Sequence, residues 1–170
     1  MTDFKINIVQ DSQPGSPDDW ANDDIFLVAF SNRHLWITRN GLTDPEQIEN
    51  WAEEYDIFEL YAYIHSGITL SLEPFSCPWD SGQYGYVLVK KGSCSSEIAQ
   101  SSAQFLVDEW NMYLSGDVWG FDITGPNGKS IASCWGFYGR KYCEEEAQAQ
   151  LEYFEKEHAE QSQDAPFITL

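Results

Sequence analysis

The sequence predicts a single α+β domain, built mainly from an antiparallel sheet with about three helices packed on one face. Strand-like segments come in pairs joined by turn signals, and each pair is followed by one helix-like segment. Such an alternation of hairpins and single helices is typical of antiparallel sheets covered by helices. The 170 residues suffice for one sizeable core, and a composition that is 42% hydrophobic and 15% aromatic is not that of a disordered acidic chain.

Strands are predicted where apolar residues alternate with polar ones, or form short runs between turn residues. The predicted strands cover residues 4–9, 25–30, 57–65, 68–72 and 84–90, and two more lie within 117–139. Asn40 with Gly41, and Asn127 with Gly128, are hairpin turn signals. An acidic, solvated loop is expected near 10–24, and a short C-terminal tail is expected near 161–170.

The first helix is predicted from its capping residues. Asp44 is a suitable N-cap, Pro45 fits the first helical position, and Gln47 can close a capping box. Its apolar face would comprise Ile48, Trp51, Ala52 and Tyr55.

Two longer helices are predicted from apolar periodicity. The second helix runs from about 96 to 114, with an apolar stripe of Ile98, Phe105 and Met112 flanked by Leu106 and Tyr113. The third runs from about 141 to 160, and its apolar side comprises Cys143, Ala147, Leu151, Phe154 and His158.

The charge is strongly negative and uneven. The chain has 28 acidic and 9 basic residues, a net charge of −19. Nucleic acid and anionic membranes are poor partners for such a surface, whereas a host protein with a basic, nucleic-acid-binding surface is a good one. The alternative is that the charge serves only solubility. Two candidate carboxylate rows for partner binding are Asp18, Asp19, Asp23 and Asp24 in the loop, and Glu144, Glu145, Glu152 and Glu155 on the last helix.

The stretch "HSGITLSLEPFSCPWDSGQYGY", residues 65–86, contains several residue types that act in catalysis. Cys77 and His65 could form a thiolate–imidazolium pair oriented by Asp80, which is the arrangement of a cysteine-dependent enzyme. The competing interpretation is architectural, because prolines and glycines stiffen and turn a connection between strands. A third option is an aromatic platform for a partner, with Trp79 as its anchor.

Several classes of site and location are not expected from the sequence. The N-terminus lacks a signal peptide, and no apolar run is long enough to span a bilayer, so we expect a cytoplasmic protein with four reduced cysteines. The spacing of Cys and His residues predicts no metal site, and no motif predicts a cofactor. The sequence leaves the oligomeric state open, and a dimer is among the options.

The segments "HSGITLSLEPFSCPWDSGQYGYV", "YLSGDVWGFDI" and "SCWGFYG" resemble a family of small, uncharacterised proteins carried by bacteriophages and mobile elements. The resemblance covers about residues 55–140. It implies a setting, a phage or plasmid gene product acting inside a bacterial cell, and it implies no reaction or catalytic residue.

Charge and setting together favour a non-enzymatic inhibitor of a bacterial defence system, of the anti-restriction or anti-CRISPR type. Such an inhibitor would use an acidic surface, and one version of the hypothesis is a DNA mimic. The alternatives are a cysteine-dependent enzyme that uses the 65–84 loop, and an acidic structural or interaction protein of a mobile element.

Overall fold

Eight strands and four helices form the part of the chain that the computed structural model describes, residues 4–31 and 33–163. The strands are β1 Lys5–Gln10, β2 Ile25–Ser31, β3 Leu35–Ile37, β4 Tyr55–Ile64, β5 Ile68–Ser71, β6 Ser81–Lys90, β7 Val118–Thr124 and β8 Ser130–Tyr138. The helices are α1 Pro17–Trp20, a 3₁₀ helix Pro45–Trp51, α2 Ser96–Ser115 and α3 Arg140–Gln163.

The chain divides into two compact units, each with its own sheet. The larger unit is Gly15–Gly116, and the smaller combines the described parts of Met1–Pro14 and Asp117–Leu170. All strand pairs in both sheets are antiparallel. The predicted α+β class with antiparallel strands is therefore confirmed, while folding as a single domain stays a prediction.

The larger unit is a five-stranded sheet in the order β3-β2-β6-β4-β5 that is apolar on both faces. Side chains alternate between the faces along a strand. Leu27 and Ala29 of β2 pack in one cluster with α2, whereas Phe26 and Val28 pack in a second cluster with the 3₁₀ helix. Because both faces are apolar, α2 covers one face and the 3₁₀ helix the other, so the helices of this sheet do not lie on one face as expected.

The 3₁₀ helix has the predicted cap but a different shape. The Asp44 carboxylate accepts a hydrogen bond from the Glu46 N–H, and the Gln47 side chain accepts one from the Asp44 N–H. The prediction that Tyr55 continues the helical face is wrong, since the helix ends at Trp51 and Tyr55 begins β4. The rings of Trp51 and Tyr55 both contact the Phe26 ring, at centroid distances of 6.0 and 5.5 Å. This aromatic packing favours a short helix followed directly by the strand.

Helix α2 begins and ends as predicted within a residue or two, but it buries another stripe. The buried residues are Ala99, Ala103, Leu106, Val107 and Trp110, whereas Ile98 and Phe105 are exposed. The predicted apolar stripe is therefore wrong for Ile98 and Phe105, whereas Met112 is half-buried and the flanking residues Leu106 and Tyr113 do pack in the core. Alanine side chains allow the helix to approach the sheet closely, and burying Leu106 and Val107 contributes roughly 1.5–3 kcal/mol each.

The Asn111 side chain forms hydrogen bonds with the main chain of an edge strand of the larger sheet. Strand β5 lies at the edge, and the amide of Asn111 on α2 both accepts from the Leu70 N–H (2.7 Å) and donates to the Leu70 carbonyl (2.9 Å). These two bonds replace those that a neighbouring strand would make, so Asn111 fixes α2 against β5.

The smaller unit is a three-stranded sheet in the order β1-β7-β8, covered by α3. Ile6 and Ile8 of β1 lie opposite Ile123 and Phe121 of β7. The predicted apolar side of α3 is confirmed for Cys143, Ala147, Leu151 and Phe154, which pack against this sheet. Helix α3 extends to Gln163, beyond the predicted end, and the rest of the predicted tail lies outside the described residues.

Both predicted turns are present, although the Asn40–Gly41 turn closes only an isolated bridge between Arg39 and Leu42. Asn40 and Gly41 have φ angles of 52° and 79°, which places both residues in the left-handed region that a type I′ turn requires. Gly128 has φ 75° in the loop between β7 and β8. Of these three positions, the Asn40 conformation is the least usual, because a residue with a Cβ rarely adopts positive φ.

Gly85 provides a test of the register between β2 and β6. An alanine Cβ at this position would lie 1.9 Å from the Val28 carbonyl oxygen and 2.8 Å from the Ala29 Cα. Gly82, on the same strand, would place a Cβ no closer than 3.6 Å from the Tyr84 ring. We therefore expect Gly85→Ala to lower the free energy of unfolding by about 1–3 kcal/mol or more. The control Gly82→Ala should change it by less than about 1 kcal/mol.

The measurement is urea unfolding of both variants, followed by tryptophan fluorescence and circular dichroism. Equal unfolding midpoints for the two variants would show that β2 and β6 do not pair in this register.

Candidate functional site

The three residues of the proposed cysteine chemistry do come together, around the carboxylate of Asp80. His65 Nδ1 lies 3.4 Å from Asp80 Oδ2, and Cys77 Sγ lies 4.0 Å from the same oxygen. The main chain holds this arrangement, because the Ile64 N–H donates to the Asp80 carbonyl at 2.7 Å and the Ser81 hydroxyl donates to the Cys77 carbonyl. The loop between β5 and β6 is thus fastened to the end of β4.

The order of the three groups does not match nucleophilic catalysis. An activated thiol needs the imidazole as its direct partner, with the carboxylate on the far side of the ring. Here the carboxylate of Asp80 contacts both other groups, and the Cys77 thiol is directed at this carboxylate and not at the imidazole. The His65 side chain is also 67% exposed. The geometry is better explained by polar contacts that hold the loop in place than by a catalytic centre.

The loop carries an exposed aromatic residue at its tip. Trp79 is 90% exposed, and Tyr63 nearby stacks on His65 with a centroid distance of 6.3 Å. Tyr63 also contacts Phe75 at 5.9 Å. Trp79 is therefore available for a partner, as the platform hypothesis requires.

The acidic loop 10–24 is more ordered than the sequence indicates. It contains α1, whose first residue Pro17 is buried, and the Asp19 carboxylate accepts from the Ser16 N–H at 2.7 Å. The prediction of a wholly solvated loop is wrong in this part, because a capped helical turn lies within it.

Arg39 binds two of the four loop carboxylates. Its guanidinium lies 3.2 Å from the Asp18 carboxylate, 3.7 Å from that of Asp23, and donates to the Ala21 carbonyl at 2.8 Å. Its Nε is buried without a hydrogen bond, so the contact with Asp23 is an ion pair only. Asp18 and Asp23 therefore fix the loop to Arg39, and Asp19 caps α1. Asp19, Asp23 and Asp24 are nevertheless all exposed residues.

The four glutamates predicted on α3 are all exposed, but they differ in their partners. Glu144 pairs with Arg140 at 2.7 Å, and Glu145 pairs with Lys141 at 3.7 Å. Glu152 and Glu155 lie farther along the helix. The two basic partners stand in the first turn, and the last turn has no basic residue.

This distribution opposes the helix dipole, which favours acidic residues at the N-terminus and basic ones at the C-terminus. Each favourable placement is worth about 0.3–1 kcal/mol, so α3 gains little from the interaction of its charges with the dipole. Its two i,i+4 ion pairs add only about 0.2–0.5 kcal/mol each. The carboxylates instead add to the negative potential of the C-terminal half.

A further surface was missed by the sequence patterns. Trp20 of α1 is 72% exposed and Phe105 of α2 is 64% exposed, and both line a pocket of about 420 Å³ between these helices. Glu109 lines the same pocket, and burial raises the pKa of its carboxyl group above the usual value. The signals available in the sequence were an isolated Trp in a polar loop and the surplus of apolar residues on α2.

Neither a metal centre nor a membrane span is apparent in residues 4–31 and 33–163. No three His, Cys, Asp or Glu side chains in these ranges are arranged to hold a metal ion. No helix there combines the length and hydropathy of a segment that crosses a bilayer. All four cysteines have free thiols.

The chain has no significant match among family models, curated proteins or solved structures. The resemblance to phage and mobile-element proteins therefore stays a prediction.

Thiol alkylation distinguishes a fastened loop from an activated cysteine. Cys134 is exposed and Cys77 half-buried, whereas Cys143 is fully buried and its pKa is raised, chiefly by burial. Because only the thiolate reacts, we expect iodoacetamide at pH 8 to label Cys134 first, Cys77 more slowly, and Cys143 only after unfolding. Mass spectrometry of the labelled peptides gives the order, and the denatured, unreduced protein should take up four labels.

An activated nucleophile would reverse this order. If Cys77 reacts many times faster than Cys134, and Asp80→Asn or His65→Ala abolishes the difference, the loop is a reactive site and the architectural interpretation is wrong.

Proposed function

We propose that this protein is a non-enzymatic inhibitor that binds the basic, nucleic-acid-binding surface of a host protein through its exposed carboxylates. The observation that supports this most strongly is the charge distribution of α3. Its glutamates are exposed, its first turn carries Arg140 and Lys141, and its last turn has no basic residue, so the helix dipole does not account for most of these charges. Binding a basic surface is a purpose that such a distribution would serve.

Electrostatic complementarity would act mainly on the rate of association. A field of one sign steers an oppositely charged partner and can raise the association rate by one to three powers of ten. DNA presents one charge per about 1.7 Å of axis, so a protein that competes with DNA needs several carboxylates close together. Helix α3 offers seven glutamates within its bounds.

The setting comes from the resemblance described above. In a phage or plasmid gene product, the basic partner would be a restriction or CRISPR-type enzyme of the bacterial host, and occupation of its groove would keep nucleic acid out. The cysteine-enzyme alternative is less well supported, because the Asp80 carboxylate stands between the thiol and the imidazole.

Two pairs of glutamates on α3 allow a matched test of steering. Glu152→Gln with Glu155→Gln removes two charges from the C-terminal half, and Glu144→Gln with Glu145→Gln removes two that are paired with basic neighbours. We expect the first pair to slow association about fivefold at low salt, and the second pair to slow it less than twofold. Both double variants should keep the fold, since each exposed pair contributes at most about 0.5 kcal/mol.

The partner is captured from bacterial lysate at 50 mM salt, identified, purified, and measured by surface plasmon resonance at 50 and 300 mM salt. Affinity should fall steeply with salt, because the screening length shortens toward a few ångströms. If affinity is indifferent to salt and neither pair changes the association rate, the acidity is solubilising only. The variants Asp19→Asn and Asp24→Asn test the loop row in the same way.

A further inference from the structure

The outward side of α2 combines exposed apolar side chains with carboxylates. Ile98 is 55% exposed and Phe105 is 64% exposed, and Trp20 of α1 lines a pocket together with Phe105. Glu97, Asp108 and Glu109 lie on the same helix as Phe105, and Glu73 lines a second pocket. These seven residues are called the α2 docking face.

Two pockets open on this face, on either side of Phe105. One is the pocket of about 420 Å³ between α1 and α2, and the other, of about 480 Å³, is lined by Leu72, Glu73, Glu97 and Asp108 among others. Phe105 and Ser101 line both. From Ile98 to Glu109 the face runs about 16 Å along the helix, the length of about three helical turns.

No basic residue balances these carboxylates. Helix α2 contains no Lys or Arg in its 20 residues, and neither pocket is lined by one. Burial raises the pKa of Glu109, so its ionised form is held at a cost that a neighbouring cation would offset. Exposed apolar patches with polar rims are typical of binding surfaces, and aromatic residues often dominate the binding energy there.

We propose that the α2 docking face binds a basic amphipathic helix of a protein partner. An apolar side chain of that helix would enter the pocket between Trp20 and Phe105, and its Lys or Arg residues would reach Glu97, Asp108 and Glu109. This is the helix-in-groove mode, in which apolar anchors give affinity and flanking charges give orientation. A second copy of this chain fits poorly, because it would bring the same negative surface to the contact.

This inference does not rest on the proposed function. It concerns a different helix, it requires apolar contact as well as charge, and it holds even if the glutamates of α3 prove to be solubilising only.

The test uses a fluorescent 14-residue peptide of leucine and lysine, with the leucines on one helical face, titrated into the full chain at 150 mM salt. Fluorescence anisotropy gives the dissociation constant. We expect Phe105→Ala to weaken binding tenfold or more, as the loss of a central aromatic anchor does. The matched control is Tyr153→Ala, because Tyr153 is a similarly exposed aromatic residue (57%) on α3. It should change binding less than about twofold.

Charge is tested by Glu97→Gln with Asp108→Asn, which should weaken binding and flatten its salt dependence. The control is Glu152→Gln with Glu155→Gln on α3, which removes the same number of charges and should change binding of this peptide less than about threefold. A larger effect of the α3 pair would place the peptide on α3 and overturn the inference.

Other outcomes also overturn it. Equal binding of a peptide with serine in place of leucine would mean that charge alone is recognised. Equal binding of a peptide with glutamate in place of lysine would mean that apolar contact alone is recognised. A dimer in sedimentation velocity that Phe105→Ala dissolves would make a second copy the occupant. If Phe105→Ala binds the peptide with unchanged affinity, the α2 docking face is not the binding site.

Discussion

Repulsion among 28 acidic residues, against 9 basic ones, is the constraint that the rest of this structure has to meet. Within the described part of the chain no charged side chain is buried, so the carboxylates stay near water and stability comes from apolar cores. Two basic residues pair with carboxylates between different segments of the larger unit. Arg39 binds the acidic loop, and Lys90, at the end of β6, lies 3.6 Å from Glu54. With a net charge of −19, the protein carries a strong negative field.

The buried apolar side chains that oppose this repulsion form three clusters. Phe26 and Leu27 are adjacent residues of β2, yet they belong to different cores, because successive side chains of a strand point to opposite faces. Both faces of the larger sheet are thus covered. Helix α2 packs closely on one face because Ala99 and Ala103 are small. Because this side of the helix faces the sheet, Phe105 and Ile98 are exposed to solvent. The exposed aromatics of α2 follow from how its inner face packs.

Local signals in the sequence predicted much of this fold, and tertiary packing explains the rest. The cap at Asp44, the turn at Asn40 and Gly41, and the apolar side of α3 depend on neighbours in the chain, and all are present. The 3₁₀ helix after Pro45 ends at Trp51, whose ring contacts Phe26 of β2, a residue distant in the chain. The buried stripe of α2 was missed because periodicity counts hydrophobicity, whereas close contact with a sheet favours small residues. The pairing of Asp18 and Asp23 with Arg39 joins distant segments that no spacing rule connects.

The two candidate surfaces would contribute different parts of a binding free energy. The carboxylates of α3 offer charge, which speeds association and is screened by salt but does little to slow dissociation. The α2 docking face offers aromatic side chains beside pockets, and desolvated anchors of this kind govern the dissociation rate. A pure DNA mimic would need only the first of these. A protein that uses both must recognise a partner that is basic and also exposes apolar residues, which nucleic acid in the same groove would not contact. Its specificity would then exceed that of the nucleic acid it displaces, because the competing ligand lacks the apolar anchors.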